Sequence, residues 1–325
     1  MKAIVCTRYG SPDVLQFNDV PKPTPTDNEV LIKLYAASVN PADMHLTRGK
    51  LFFLRLISGG LRAPKRKVPG LDIAGRVEAV GRNVTQFKPG DDVFGACRGA
   101  FAEYVCALED KLAPKPANSS FEHAAAMPVA ALTALQGLRD KGCIHQGSKV
   151  LIDGASGGVG TFAIQIAKSF GAEVTAVCSA GKIDTARSLG ADHVIDYTQE
   201  DFTQSGQRYD LIVGVNAHHS IFDYRRALTN GGIYVAVGGG LPQIFQVMLL
   251  APFLSRIGNK KTCFFIANIN QKDLIFLKEL MEAGKLVPVI DKRYPLSEAA
   301  EAIRYLEKGH AQGKIVLTVD HSSGT

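Results

Sequence analysis

Val150-Leu151-Ile152-Asp153-Gly154-Ala155-Ser156-Gly157-Gly158-Val159-Gly160 is the stretch that decides the fold. An apolar strand runs into a glycine-rich turn, and residues 158–170 read as a helix leaving it. Gly157 and Gly158 carry no Cβ, so a pyrophosphate can approach the backbone there. Gly160 lets the helix pack close to the strand. The first helical turn offers unpaired N–H groups and the positive end of the dipole to the phosphates. Glycine turns alone are common; the strand before this one and the helix after it give the pattern its meaning as a dinucleotide loop.

The surrounding sequence continues that pattern. Residues 173–178, 193–196, 210–213 and 232–237 read as strands, with helices over 182–189 and 220–228. This alternation predicts an α/β unit with a doubly wound parallel sheet, its strands apolar on both faces. Residues 29–37, 73–80 and 101–107 read as short strands separated by turn residues, as in an all-β barrel-like domain. After residue 265 come a helix over 272–283, a strand over 287–290, a helix over 296–308 and a strand over 314–319. That tail is too short for a third domain and is expected to complete the first one. The expected division is 1–120 with 266–325 as one domain, and 121–265 as the dinucleotide-binding domain.

Composition narrows the function classes. The 325 residues carry 37 basic and 31 acidic side chains, an excess too small to predict a nucleic-acid surface. No run of about 18 apolar residues occurs, so membrane insertion is not expected. The N-terminus enters a strand at once without a charged leader, which predicts a cytoplasmic protein. Six scattered cysteines form no C-x-x-C pair and read as free thiols.

The second strand of the dinucleotide unit ends in Cys178-Ser179-Ala180-Gly181-Lys182. NAD sites commonly place a carboxylate there to hold the ribose 2′-hydroxyl. This chain offers a hydroxyl and a cation instead, which suits a 2′-phosphate and predicts NADPH as cofactor. The competing reading is that Ser179 only caps the following helix.

Further markers are Ala37-Ser38-Val39-Asn40-Pro41-Ala42-Asp43, Val68-Pro69-Gly70-Leu71-Asp72-Ile73-Ala74-Gly75, Lys88-Pro89-Gly90-Asp91, Leu189-Gly190-Ala191-Asp192 and Gly313-Lys314-Ile315-Val316. With these, the chain resembles the medium-chain dehydrogenase/reductase superfamily over nearly its whole length, specifically the zinc-free, zeta-crystallin-like quinone oxidoreductase branch. The resemblance implies a GroES-like β-barrel domain built from both chain ends, with a Rossmann domain between. It implies that Asn40 and Thr133 lie near the nicotinamide. It places Ser156, Gly157, Gly158 and Val159 on the pyrophosphate, and Ser179, Lys182 and Tyr197 on the 2′-phosphate. Val237, Gly238 and Gly239 match the segment over the nicotinamide ring, and Lys314 a C-terminal cofactor contact. After the fourth strand the family pattern breaks at Val215-Asn216-Ala217-His218-His219, where Asn216 is the candidate contact.

Zinc-dependent members of the superfamily hold a catalytic metal at positions matched here by Asn40, by Leu71 and by the cysteine-free region 127–133. A leucine cannot ligate zinc, so no metal is expected. Without a Lewis acid, the hydride acceptor must spread charge itself, as a quinone or another α,β-unsaturated carbonyl does. Candidate catalytic residues are Asn40, Asp43 and His45, the last able to donate a proton. Two alternatives stand beside the quinone reductase: an enoyl-thioester or enone reductase, and a non-catalytic NADPH-binding structural or interaction protein. The resemblance also implies a homodimer, for which the apolar segment 241–254 could supply an interface or line a cleft. Segment 50–67, with an apolar start and a basic end, reads either as a substrate lid or as a surface loop.

Overall fold

Alternating apolar residues cut by turn residues set the strands of the first third of the chain, and 3.6-residue periodicity takes over beyond it. The computed structural model describes residues 1–49, 60, 63–65, 67–239, 241–254 and 258–321. Segment 50–67 therefore lies largely outside the described residues. In chain order the first elements are β1 (Lys2–Cys6), β2 (Leu15–Asp19), β3 (Glu29–Val39), α1 (Pro41–Arg48), β4 (Asp72–Val80), β5 (Asp92–Ala96), β6 (Tyr104–Leu108), β7 (Leu112–Pro114) and α2 (Phe121–Ala126). Then come α3 (Pro128–Gln136), β8 (Lys149–Asp153), α4 (Gly158–Ser169), β9 (Glu173–Cys178), α5 (Ile183–Ser188), β10 (His193–Asp196), β11 (Tyr209–Gly214), α6 (Ile221–Arg226), β12 (Leu228–Ala236), α7 (Leu241–Leu254) and β13 (Lys261–Phe264). The chain closes with α8 (Gln271–Glu282), β14 (Ile290–Pro295), α9 (Ala299–Glu307) and β15 (Lys314–Thr318).

The chain forms two compact units: Met1–Val129 with Ile269–Gly284 and Ile290–Thr325, and Ala130–Asn268 with Lys285–Val289. In the first unit a sheet runs β14-β15-β3-β4-β5-β7, with β6 pairing β3. The C-terminal β15 is antiparallel to β3 and parallel to β14, so early and late segments of the chain share one sheet, while β1 and β2 pair separately. Ile4, Ile32, Leu34, Ile73, Phe101, Ile303 and Leu317 form its buried core. This is the GroES-like fold of the α/β architecture.

The second unit holds a parallel sheet in the order β10-β9-β8-β11-β12-β13. Its strand order reverses between β8 and β11, which makes their C-terminal ends the switch point where open α/β sheets bind ligands. Leu151, Ile212, Tyr224, Tyr234 and Ala236 fill one core of this sheet.

Three expectations are corrected. The boundary expected at residue 120 lies before α2, whereas the units divide after Val129. The reason is packing: α2 lies on β3, β4 and β15. Residues 287–290 were expected as a strand, but the strand is Ile290–Pro295. Val287 instead exchanges both backbone hydrogen bonds with the Gln165 side chain, at 2.8 and 3.0 Å, which ties 285–289 to α4. The strand expected over 101–107 begins only at Tyr104, because Phe101 donates its N–H to Pro69 O in a turn.

Candidate active site

In the second unit, β8 ends at Asp153 and the loop turns at Gly154, whose φ of 88° is left-handed and strained for other residues. A Cβ on Gly160 would lie 2.2 Å from Gly154 O and 2.6 Å from the Ala155 carbonyl carbon, so glycine is what lets α4 seat on the loop. A Cβ on Gly157 would meet only Gly154 O, at 3.7 Å, so that side of the loop is open. Gly157 is the N-cap of α4, whose first-turn N–H groups point into that opening. Ser156, Gly157, Gly158 and Val159 are all partly exposed there. Steric openness, a helix N-terminus and its positive dipole end together fit a pyrophosphate.

The neighbouring strand ends agree with a second phosphate. Ser179 makes no capping hydrogen bond, so its hydroxyl is not spent on the following 3₁₀ turn. Lys182 closes that turn, half-buried, and a Cβ on Gly181 would meet nothing within 4 Å. The carboxylate closest in register is Asp196, opposite Cys178. It accepts the Thr198 N–H at 3.0 Å and the Thr198 hydroxyl at 2.8 Å, and so is already held within its own turn. Tyr197 is exposed, with its N–H donating to Cys178 O at 3.2 Å. On the far side of β8, Asn216 packs against Gly154 and donates its N–H to Asp153 O. Val237 and Gly238 donate N–H groups to Gly214 O, and Gly239 bridges to Ala217. Thr133 is half-buried on α3, apart from this group in sequence.

In the first unit a buried polar cluster brings together Asn40, Lys314 and two residues the sequence reading did not single out, Ser38 and Asp72. Asp72 Oδ2 accepts the Ser38 hydroxyl at 2.7 Å, the Asn40 amide at 2.8 Å and the Lys314 ammonium at 3.2 Å. Its other oxygen accepts the Val129 N–H at 2.9 Å. Lys314 also donates to Asn40 Oδ1 at 2.7 Å. Both atoms of the Asn40 amide are thus engaged, and Lys314 is only 3% exposed. Removing one partner of such a buried pair costs about 3–5 kcal/mol.

Asn40 also caps α1. Its N–H donates to Asp43 Oδ2 at 2.8 Å, and Pro41 takes the first helical position. Burial pushes the Asp43 carboxyl up to about 7, against the lowering effect of the Asn40 N–H. Burial lowers the pKa of His45, two residues on, so its imidazole is neutral at neutral pH. A hollow of about 60 Å³ is lined by Asp43, Thr47, Leu71, Tyr9 and Arg98. It has room for water.

The donor set does not fit zinc. Position 71 is leucine, the Asn40 amide is consumed, and among the described residues no three His, Cys, Asp or Glu side chains converge as metal ligands. Also among the described residues, no helix is long and apolar enough to cross a membrane.

Comparison with known proteins fits this geometry. Residues 26–117 match the alcohol dehydrogenase GroES-like domain and residues 189–317 the zinc-binding dehydrogenase family. The chain is 36% identical to 2-methylene-furan-3-one reductase of Solanum lycopersicum, over 98% of this chain and 79% of that protein. It is 34% identical to the chloroplastic NADPH-dependent alkenal/one oxidoreductase of Arabidopsis thaliana, again over 98% and 79%. The quinone oxidoreductase from Coxiella burnetii superposes with a TM-score of 0.88 at 32% identity, covering 98% of this chain and 99% of the other. The chain belongs to the medium-chain dehydrogenase/reductase superfamily, in its quinone oxidoreductase branch. It is an oxidoreductase of the type that uses a nicotinamide cofactor and a small-molecule substrate.

Proposed function

We propose that this protein is a zinc-independent, NADPH-dependent reductase of quinones or other α,β-unsaturated carbonyls. The observation that carries the reading is the second strand end: an uncapped Ser179 hydroxyl beside Lys182, with the neighbouring Asp196 already bonded to Thr198. The α4 N-terminus and the open side of Gly157 receive the pyrophosphate, and Ser179, Lys182 and Tyr197 hold the 2′-phosphate. The bound cofactor supplies a hydride. A donor set unfit for zinc leaves stabilisation of the reduced acceptor to its own conjugation and to hydrogen bonds. In this reading Thr133, Val237, Gly238 and Gly239 of the second unit serve the nicotinamide end, with Asn216 on the loop wall. Lys314 acts by holding the Asn40 amide. Asp43 fixes the start of α1, and His45 offers a neutral N–H to the substrate. The relatives that act on a furanone and on alkenals and alkenones support the acceptor class.

The chain has no tryptophan, so the cofactor's own fluorescence reads binding. Lys182→Ala should weaken NADPH roughly tenfold or more and leave NADH affinity unchanged. Equal losses for both, or none, would refute the 2′-phosphate assignment. NADPH oxidation with a panel of quinones, enones and enoyl thioesters assigns the acceptor; tight binding without turnover on any of them favours the non-catalytic alternative. Phe245, Met248, Leu249 and Phe253 lie exposed along α7, and we take them as the contact of a homodimer. Sedimentation as a monomer at micromolar concentration would exclude it.

A further inference from the structure

The residue that leads into the dinucleotide loop is a buried carboxylate whose charged neighbours among the described residues are the imidazoles of His218 and His219. Asp153 ends β8 immediately before Gly154 and is only 7% exposed. Among the described residues no lysine or arginine acts on its charge. Its side chain accepts the Tyr224 hydroxyl at 2.5 Å. Tyr224 stacks on Tyr234 with ring centroids 4.3 Å apart and planes 8° apart, so the hydroxyl is held by a rigid aromatic pair. The Asp153 carbonyl accepts the Val215 N–H at 2.8 Å and the Asn216 N–H at 3.1 Å. One residue therefore ties β8, α6 and the segment after β11 together at the point where the phosphate loop begins.

We propose that Asp153 is a positioning residue for this loop and that its carboxyl takes up one solvent proton when the dinucleotide binds. The proposal rests on the dinucleotide reading above. The physical reason is charge: a pyrophosphate brings negative charge to a loop that starts from a buried carboxylate with no lysine or arginine beside it among the described residues. A neutral carboxyl keeps the Tyr224 hydrogen bond and removes the repulsion. Burial already raises the pKa of Asp153, against the opposing Tyr224 hydrogen bond and the imidazoles of His219 and His218. The titratable groups facing it are Tyr224 from α6, Tyr234 from β12, and His218 and His219 after β11. His219 sits edge-on to Tyr224 and 3.8 Å from Asp201. Affinity is highest where Asp153 is protonated and falls as pH rises through its pKa, and binding raises that pKa in turn.

The test is the affinity of the full chain for NADPH and for NADH between about pH 6 and about pH 9, where buried carboxyls titrate. NADH lacks the 2′-phosphate, whose own ionisation would otherwise overlap. For the wild type, both dinucleotides should bind roughly tenfold more weakly at the alkaline end. Asp153→Asn should keep the low-pH affinity throughout. Tyr224→Phe, which removes the donor favouring the ionised form, should move the fall to higher pH. A purely structural role would lower affinity at every pH without moving the profile. The double variant His218→Gln/His219→Gln should retain the fall; its loss there would assign the titration to the histidines and overturn the proposal. So would a flat wild-type profile, or an Asp153→Asn profile like the wild type's. Failure of both dinucleotides to bind at any pH would overturn the functional reading itself, and the proposal with it.

Discussion

Asp43 shows how one buried carboxyl links α1 to pH. Its acceptor is spoken for by the Asn40 N–H, yet burial holds its pKa at about 7. An unfolded aspartate titrates near 3.9. Between those values the folded chain keeps a proton that the unfolded chain releases, so stability falls as pH rises from about 4 to about 7 and is level above. The linked free energy is on the order of a few kcal/mol. Asp43→Asn keeps an acceptor oxygen but cannot ionise. Relative to the wild type, its thermal midpoint should improve between pH 5 and pH 8, and a constant difference across that range would contradict the assignment. The family resemblance named Asn40 and Lys314 as candidates, and the spacing of three residues from Asn40 named Asp43. Neither named Asp72, because an aspartate in a glycine-rich strand carries no local mark of gathering a serine, an asparagine, a lysine and a backbone N–H.

At the element scale, the junction of β8 and α4 is where the sequence was most legible. The bounds of β8 and β9 follow their apolar runs, since parallel strands buried on both faces need apolar side chains on both. The same junction makes a sharp prediction. Gly160→Ala would place a methyl 2.2 Å from Gly154 O, so α4 must lift from the loop. Dinucleotide affinity should drop at least tenfold and stability by about 1–3 kcal/mol, as for overpacking. Gly181→Ala, whose methyl meets open space, should bind as the wild type does. A fluorescence titration and a thermal melt of both variants check this. Other elements were less legible. The helix α1 is marked only by its start signal Asn40-Pro41-Ala42-Asp43, a cap, a proline and an acid in order. The strand β14, Ile-Asp-Lys-Arg-Tyr-Pro, has no apolar alternation because it is an edge strand with half its side chains in water.

At the scale of the whole molecule, the first unit depends on β15, a strand far in sequence from its sheet neighbour β3. β15 lies between β14 and β3, and it delivers Lys314 to Asp72. A chain ending at Gly313 would lose a central strand and leave Asp72 buried without its cation. It should lose the cooperative melting transition of the first unit, and a truncated chain that melts like the full one would refute this dependence. Truncation within 322–325 removes neither feature and should be neutral.

By itself the sequence determined the glycine-rich turn between β8 and α4, the parallel sheet around it and the return of the tail to the first domain. Those are written in contiguous signals: glycines at fixed offsets, apolar runs, and strand–helix alternation. Only the tertiary structure decided that Asp72 and Lys314, 242 positions apart, share one buried cluster. It also decided that Asp153 meets Tyr224, 71 positions away. Burial strips such groups of water and obliges them to find each other, and a pairing made across the fold leaves no period or spacing along the chain.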